Sequence, residues 1–99
     1  MNPENYSLRA HLWGFHEAVG YMLFRGLIDV ETVYNVLGSH QTLISWNKFR
    51  DVIIEQRKFY NNPHWYRWFE YLASEVSKER VRQGLLPDIS DADGWITRK

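Results

Sequence analysis

The pair His16-Glu17 comes closest to a catalytic motif in this chain. These residues match the start of the helical zinc-protease motif, in which a second histidine four residues after the first also binds the zinc. Gly20 occupies that place, and the four histidines of the chain share no ligand spacing. Cysteine is absent, which excludes thiolate nucleophiles and cysteine-based zinc sites. The sequence therefore predicts no catalytic residue, no cofactor and a protein that is not an enzyme.

An acidic segment near the end of the chain resembles part of a calcium-binding loop. Asp91, Asp93 and Gly94 reproduce the alternating oxygen ligands and the turn glycine of an EF-hand. In that register Ile89 takes the first ligand position, and the twelfth position lies past the last residue. We therefore expect an acidic turn with only a weak likeness to a calcium site, and no metal.

Arg57 falls on the apolar side of a helical segment, near Ile53 and Tyr60. A buried guanidinium needs a partner. The helical pattern is interrupted at residues 61–63, so the segments on either side are expected to form an antiparallel hairpin. Counting outward from this turn brings Glu70 to the level of Arg57. A catalytic or ligand-binding clamp is the alternative, but we interpret Arg57 and Glu70 as a structural ion pair. We expect both charges to be partly buried, so that each depends on the other.

Aromatic residues are abundant: five Trp, six Tyr and five Phe make up 16% of the chain. The densest stretch, residues 64–71, interleaves them with arginine, as surfaces that stack on bases do. Helical spacing assigns Trp65 and Trp68 to the core, whereas Tyr66 and Arg67 lie off that stripe. Exposed aromatic residues are typical of protein interfaces. The candidate interaction surface comprises Trp13, Tyr66, Arg67, Tyr71 and Trp95.

Four breaks divide the chain into helical elements. Glycine commonly ends a helix because it enters the left-handed conformation without steric cost. The breaks are Gly26, Gly38, Asn61-Asn62-Pro63 and Gly84. They predict helices over residues 7–25, 29–37, 40–60 and 63–83. Asp29 is the expected N-cap of the second helix, and Pro63 suits the first turn of the fourth.

These elements predict an all-α fold, a small bundle of four helices of which three are long and one is short. Residues 1–99 form a single helical domain with an N-terminal arm (1–6), a helical core (7–84) and an irregular tail (85–99). We expect Trp46, Trp68 and Leu72 in the core.

Gly14 and Gly20 lie inside the first helix, where they permit close approach of another helix, mark a bend or are merely tolerated. The apolar stripe of that helix is Leu8, Leu12, Phe15, Val19 and Met22.

Charge and hydropathy narrow the classes of partner. Twelve basic residues balance twelve acidic ones, so no overall field attracts nucleic acid or an anionic membrane. No apolar run approaches the roughly 20 residues that span a bilayer, and the first twenty residues do not form a signal peptide. We expect a cytoplasmic chain without a membrane span, while a longer membrane-anchored form stays open.

Several short motifs follow one another along the chain: Gly26-Leu27-Ile28-Asp29, Trp46, Arg57 and Phe69-Glu70-Tyr71-Leu72. In this order they resemble an uncharacterised prokaryotic family, the domain of unknown function four-seven-six-zero. The likeness covers about residues 12–80. It implies an all-helical fold in bacteria or archaea and no known activity, so no catalytic residue is carried over. Members of that family often have a transmembrane helix ahead of the helical domain, and this chain departs from them there.

The sequence favours a non-catalytic helical interaction module whose partner is another protein or a second copy of the chain. One alternative is a nucleic-acid-binding protein that uses the arginine and aromatic residues of the last helix with Lys78, Arg80 and Arg82. The interspersed Glu75 and Glu79 argue against it. The other alternative is a small ligand-binding or hydrolytic protein, which needs a deep polar pocket.

Overall fold

A computed structural model describes the backbone of residues 3–87 and the side chains of residues 10–87. This part of the chain forms four α-helices and no strand, which confirms the predicted all-α fold. The second helix is short and the other three are long. The helices are α1 (Pro3–Phe24), α2 (Val30–Leu37), α3 (Ser39–Phe59) and α4 (Arg67–Arg82).

All four predicted breaks contain a residue with positive φ. The φ angles are 75° at Gly26, 80° at Gly38, 51° at Asn61 and 84° at Gly84. Residues other than glycine and asparagine rarely adopt this conformation, so these residue types allow the chain to leave each helix. The predicted cap of α2 is also confirmed, because Asp29 Oδ1 accepts a hydrogen bond from the Thr32 amide at 2.7 Å.

Two helix boundaries differ from the prediction. The first helix begins at Pro3, so residues 3–6 belong to α1 and not to an arm. The fourth begins at Arg67 instead of Pro63, because residues 63–66 form turns and Tyr66 has a left-handed backbone (φ 55°, ψ 37°). Within those turns, the Arg67 amide donates to the His64 carbonyl at 3.1 Å. Pro63 therefore opens a turn, and α4 starts only after Tyr66.

The long helices α1 and α4 lie side by side and run in the same direction. The rings of Trp13 and Tyr66 are 5.2 Å apart, and those of His16 and Phe69 are 4.8 Å apart. Residue number thus increases together along both helices.

Helix α3 runs opposite to α4, as the predicted helical hairpin requires. The first residue of α3, Ser39, accepts a hydrogen bond from Arg80 near the end of α4. Close to the other end of α3, Gln56 accepts one from the indole of Trp65, just before α4.

The core consists of two adjoining clusters. Trp46 packs against both and joins them. Of the three residues expected in the core, Leu72 is fully buried, whereas Trp46 and Trp68 are only half-buried. The buried members are Val33, Leu43, Leu72, Ala73 and Val76 in one cluster, and Trp13, Ile53 and Phe69 in the other.

The buried face of α1 is not the predicted stripe. Phe15 and Met22 belong to that stripe, yet they are 49% and 38% exposed. The buried positions are Trp13, His16 and Gly20, which repeat at helical spacing on a different face.

Gly20 explains why α1 buries this face and not the predicted one. A Cβ atom added there would lie 2.0 Å from the backbone carbonyl oxygen of Trp68 and 3.3 Å from Cβ of Leu72. Helix α4 therefore lies against the backbone of α1, where only a residue without a side chain fits. Gly14, by contrast, has nothing within 4 Å of such an atom. One glycine is needed for close approach and the other is tolerated.

We predict opposite effects for Gly20→Ala and Gly14→Ala. The first forces the two helices apart and should cost at least about 1–3 kcal/mol, as overpacking of a core does. The second places alanine at an exposed helix position and should add up to about 1 kcal/mol. Urea denaturation of both variants and the parent measures the difference. Equal free energies of unfolding for the two variants would contradict the close contact.

Candidate functional site

Trp13 was expected on the interaction surface, and the structure corrects that expectation. Its side chain is 4% exposed and belongs to the core. Its ring packs at 5.3 Å against Phe49. The reason is that α1 packs on α4 through the face that carries Gly20, and Trp13 lies on that same face. Trp95, Asp91 and Asp93 lie outside the described residues.

The other three expected surface residues separate into an inner and an outer group. Tyr66 is half-buried, and its ring lies 5.2 Å from Trp13 and 5.3 Å from Trp65. Arg67 is exposed and Tyr71 is half-buried on the outer side of α4. The structure therefore keeps Arg67 and Tyr71 as surface candidates and places the ring of Tyr66 against the core.

Tyr71 belongs to a group of four rings where α1 meets α4, which we call the aromatic cluster: Tyr21, Phe24, Trp68 and Tyr71. Phe24 lies 4.5 Å from Trp68 and 5.9 Å from Tyr71, and Tyr21 lies 5.4 Å from Trp68. Trp68 and Tyr71 are 5.9 Å apart. Tyr21 and Phe24 are 41% and 54% exposed. The cluster is thus a continuous aromatic surface on two packed helices.

Two arginines flank the aromatic cluster. The Arg67 guanidinium lies 4.5 Å from the centre of the Trp68 ring, and that of Arg25 lies 5.8 Å from the Tyr21 ring. Arg25 also donates a hydrogen bond to the Tyr21 hydroxyl at 2.9 Å. Neither arginine takes part in an ion pair with any described carboxylate. This surface therefore offers apolar area together with two exposed arginines that are in no ion pair with a described residue.

Of these four rings, the surface predicted from the sequence contains only Tyr71, because helical spacing assigns Trp68 to the core and selects neither Tyr21 nor Phe24. The pairing of α1 with α4 brings these rings together, and the available signal was the spacing of Tyr21, Phe24 and Arg25 over one turn.

Glu17, half of the protease-like pair, stabilises the start of α4. Its Oε1 accepts a hydrogen bond from the Phe69 amide at 2.8 Å. Tyr66, the residue before α4, has no side-chain hydrogen bond that caps the helix. The Glu17 carboxylate from α1 supplies the cap instead. Burial raises the pKa of Glu17, opposed by the Phe69 and Trp68 amides and by the nearby charges of Arg67 and Arg57.

His16, the other half of that pair, is 1% exposed and stacks on Phe69 with 22° between the ring planes. Its Nδ1–H donates to the Leu12 carbonyl at 2.8 Å. Burial lowers the pKa of His16 below its ordinary 6.5, opposed by this hydrogen bond. His16 is thus a neutral packing residue.

The structure brings Arg57 and Glu70 together, with Nη2 2.8 Å from Oε1. Arg57 also donates through Nε to the Trp65 carbonyl at 2.8 Å. The two side chains differ in burial, at 17% exposed for the arginine and 52% for the glutamate. The expected mutual dependence is therefore one-sided, because water reaches the carboxylate and not most of the guanidinium.

The described residues contain neither a metal-binding group nor a membrane-spanning helix; side chains are described for residues 10–87. No three His, Cys, Asp or Glu residues come together as a metal-binding group there. Within residues 3–87, no helix has the length and apolar character needed to cross a bilayer.

A family model described as a domain of unknown function, DUF4760, matches residues 2–76. The match spans well over half of the chain, so the chain belongs to this family, as its short motifs predicted. The matched residues include Gly20 and the whole aromatic cluster. No curated protein and no solved structure matches the chain.

We predict that Arg57→Met costs more stability than Glu70→Gln. Losing the arginine leaves the Trp65 carbonyl without its donor, at about 1–3 kcal/mol. Losing a half-exposed carboxylate should cost less than about 1 kcal/mol. Lys58→Met, which removes an exposed cation beside Arg57, is the matched control. Chemical denaturation compares the three, and a Glu70→Gln cost as large as that of Arg57→Met would contradict the asymmetry.

We predict that His16 makes the protein less stable in acid. Because its pKa is lowered on folding, its stabilising contribution is complete above the ordinary 6.5 and is lost as the pH falls through the folded-state pKa. His16→Asn keeps a donor and cannot be protonated. The stability advantage of the parent over this variant should shrink below about pH 6.5, by at most about 1.4 kcal/mol per pH unit. A constant difference between about pH 7.5 and 5 would contradict a buried neutral histidine.

Proposed function

We propose that this DUF4760 domain is a non-catalytic helical module that binds a protein partner, either a different protein or a second copy of the chain, through the aromatic cluster and its two arginines. The observation that carries the proposal is the set of four touching rings at the junction of α1 and α4, with Arg25 and Arg67 at its margins. Aromatic residues and arginine are enriched at the centres of protein interfaces.

The cluster is well organised for binding before any partner arrives. Its rings are carried by two helices in backbone contact at Gly20, and Trp68 contributes both to that contact and to the cluster. Because the rings already pack on one another, little side-chain entropy remains to be lost on association. Phe24, which is 54% exposed, has the most accessible surface to bury.

The charges of α4 favour a protein partner over nucleic acid. Lys78 pairs with Glu75 at 2.9 Å, and Arg82 pairs with Glu79 at 2.7 Å. Arg80 is 6% exposed and donates to Ser39 and to the Leu86 carbonyl. These three cations are neutralised or buried, whereas a nucleic-acid site needs them free to contact phosphates.

The titratable groups favour a binding module over a small hydrolytic or ligand-binding protein. A catalytic acid or base has a perturbed pKa and lies in a cleft. His16 and Glu17 have shifted pKa values, but both are used within the α1–α4 packing. An open groove on α3 contains neither of them.

Photo-crosslinking in the native host tests this proposal. A photoreactive phenylalanine analogue replaces Phe24 in the cluster, or Val36, which is 75% exposed on α2, as the control. We expect protein adducts from position 24 and few from position 36. Adding Arg67→Glu should abolish the adducts, while Arg50→Glu, at an exposed position of α3, should not. Equal adduct yields from the two positions, or yields unaffected by Arg67→Glu, would contradict the proposal.

A further inference from the structure

A second apolar surface lies on α3. It is an open groove of about 570 Å³, which we call the acidic groove; its described lining is Asp51, Val52, Glu55, Gln56, Phe59 and Tyr60. Phe59 is 80% exposed and Tyr60 is 54% exposed. The volume lies within the roughly 300–1,000 Å³ that accommodates a small-molecule-sized group, so large side chains can enter it.

The charges along the acidic groove are negative. Asp51 and Glu55 lie one helical turn apart, and none of the lining residues is basic. Asp51 is in no ion pair with a described residue. Glu55 has only a 3.7 Å contact with Lys58, in which both side chains are about three-quarters exposed. Such a pair contributes little, so Glu55 stays available to another cation.

The acidic groove and the aromatic cluster are complementary. The groove combines exposed Phe59 and Tyr60 with two carboxylates, and the cluster combines exposed Tyr21 and Phe24 with two arginines. Neither arginine forms an ion pair with a described carboxylate. The two surfaces thus match in chemistry, with opposite charge at the margins and exposed aromatic area in each centre.

We propose that the partner of the aromatic cluster is the acidic groove of a second copy of this chain, in a head-to-tail contact. This inference rests on the proposed function, because it uses the same cluster, and it adds the identity of the partner. A contact between two different surfaces leaves one surface free on each end copy, so it builds rings or open filaments. A symmetric contact of cluster with cluster would instead bring like charges together, which is unfavourable.

Sedimentation velocity over a range of protein concentrations tests this contact with two single variants. Arg67→Glu alters the cluster at an exposed position, and Phe59→Ser truncates the most exposed side chain of the groove. Each should weaken self-association about tenfold or more. Their controls are Arg50→Glu, outside the groove lining, and Val36→Ser, on α2; both should associate as the parent does.

An equimolar mixture of Arg67→Glu and Phe59→Ser separates head-to-tail from symmetric contacts. One copy retains an intact groove and the other an intact cluster, so one good contact remains possible. We expect the mixture to form a dimer with parental affinity and to grow no further. A mixture that stays monomeric would overturn the inference.

Two other outcomes overturn this inference and leave the proposed function in place. The first is a parent protein that stays monomeric at every concentration while position 24 still crosslinks to a different protein. The second is self-association that Arg67→Glu weakens and Phe59→Ser does not, which would mean that cluster binds cluster. If position 24 yields no adduct dependent on Arg67, the proposed function fails as well.

Discussion

The contact between the Cα atom of Gly20 and the carbonyl of Trp68 governs much of this structure. No side chain separates the two backbones there, since even a Cβ atom would lie 2.0 Å from that oxygen. Such an approach sets both the spacing of α1 and α4 and the rotation of α1 about its axis. Its consequences extend in both directions along the helices. Toward the start of α1, it places His16 on Phe69 and brings the Glu17 carboxylate to the α4 amides.

Toward the end of α1, the same contact generates the candidate interaction surface. With α4 held against Gly20, the Trp68 ring cannot lie between the helices and instead lies beside them, where Tyr21 and Phe24 meet it. Trp68 is therefore half-buried, although its spacing is that of a core residue. The contact between α1 and α4 at Gly20 thus determines both the core and the aromatic cluster. A partner that binds the cluster would contact side chains whose positions this helix contact already determines.

Local features of the sequence predicted the helices well, and features that depend on tertiary packing were predicted less well. Glycine and asparagine at the breaks, and Asp29 as a cap, act within a few residues, so their effect is readable from the chain alone. Tyr66 adopts its left-handed backbone while its ring packs against Trp13 and Trp65, which no local pattern indicates. For the candidate site, Arg67 and Tyr71 were found because they lie off the apolar stripe. Predicting Tyr21 and Trp68 as surface residues would have required knowing that α1 and α4 pack in parallel. The spacing of residues within either helix does not indicate this pairing.

The most direct test of this account is a nuclear Overhauser measurement on the parent protein in solution. If α1 and α4 touch at Gly20, its α protons lie close enough to the Leu72 side chain for strong cross-peaks, since a Cβ atom at Gly20 would be only 3.3 Å from Cβ of Leu72. Gly14, with no neighbour within 4 Å of that position, should show no cross-peak to α4. Absence of the Gly20 cross-peaks, or cross-peaks from Phe15 or Met22 to Leu72 in their place, would contradict the helix contact on which the core and the aromatic cluster both depend.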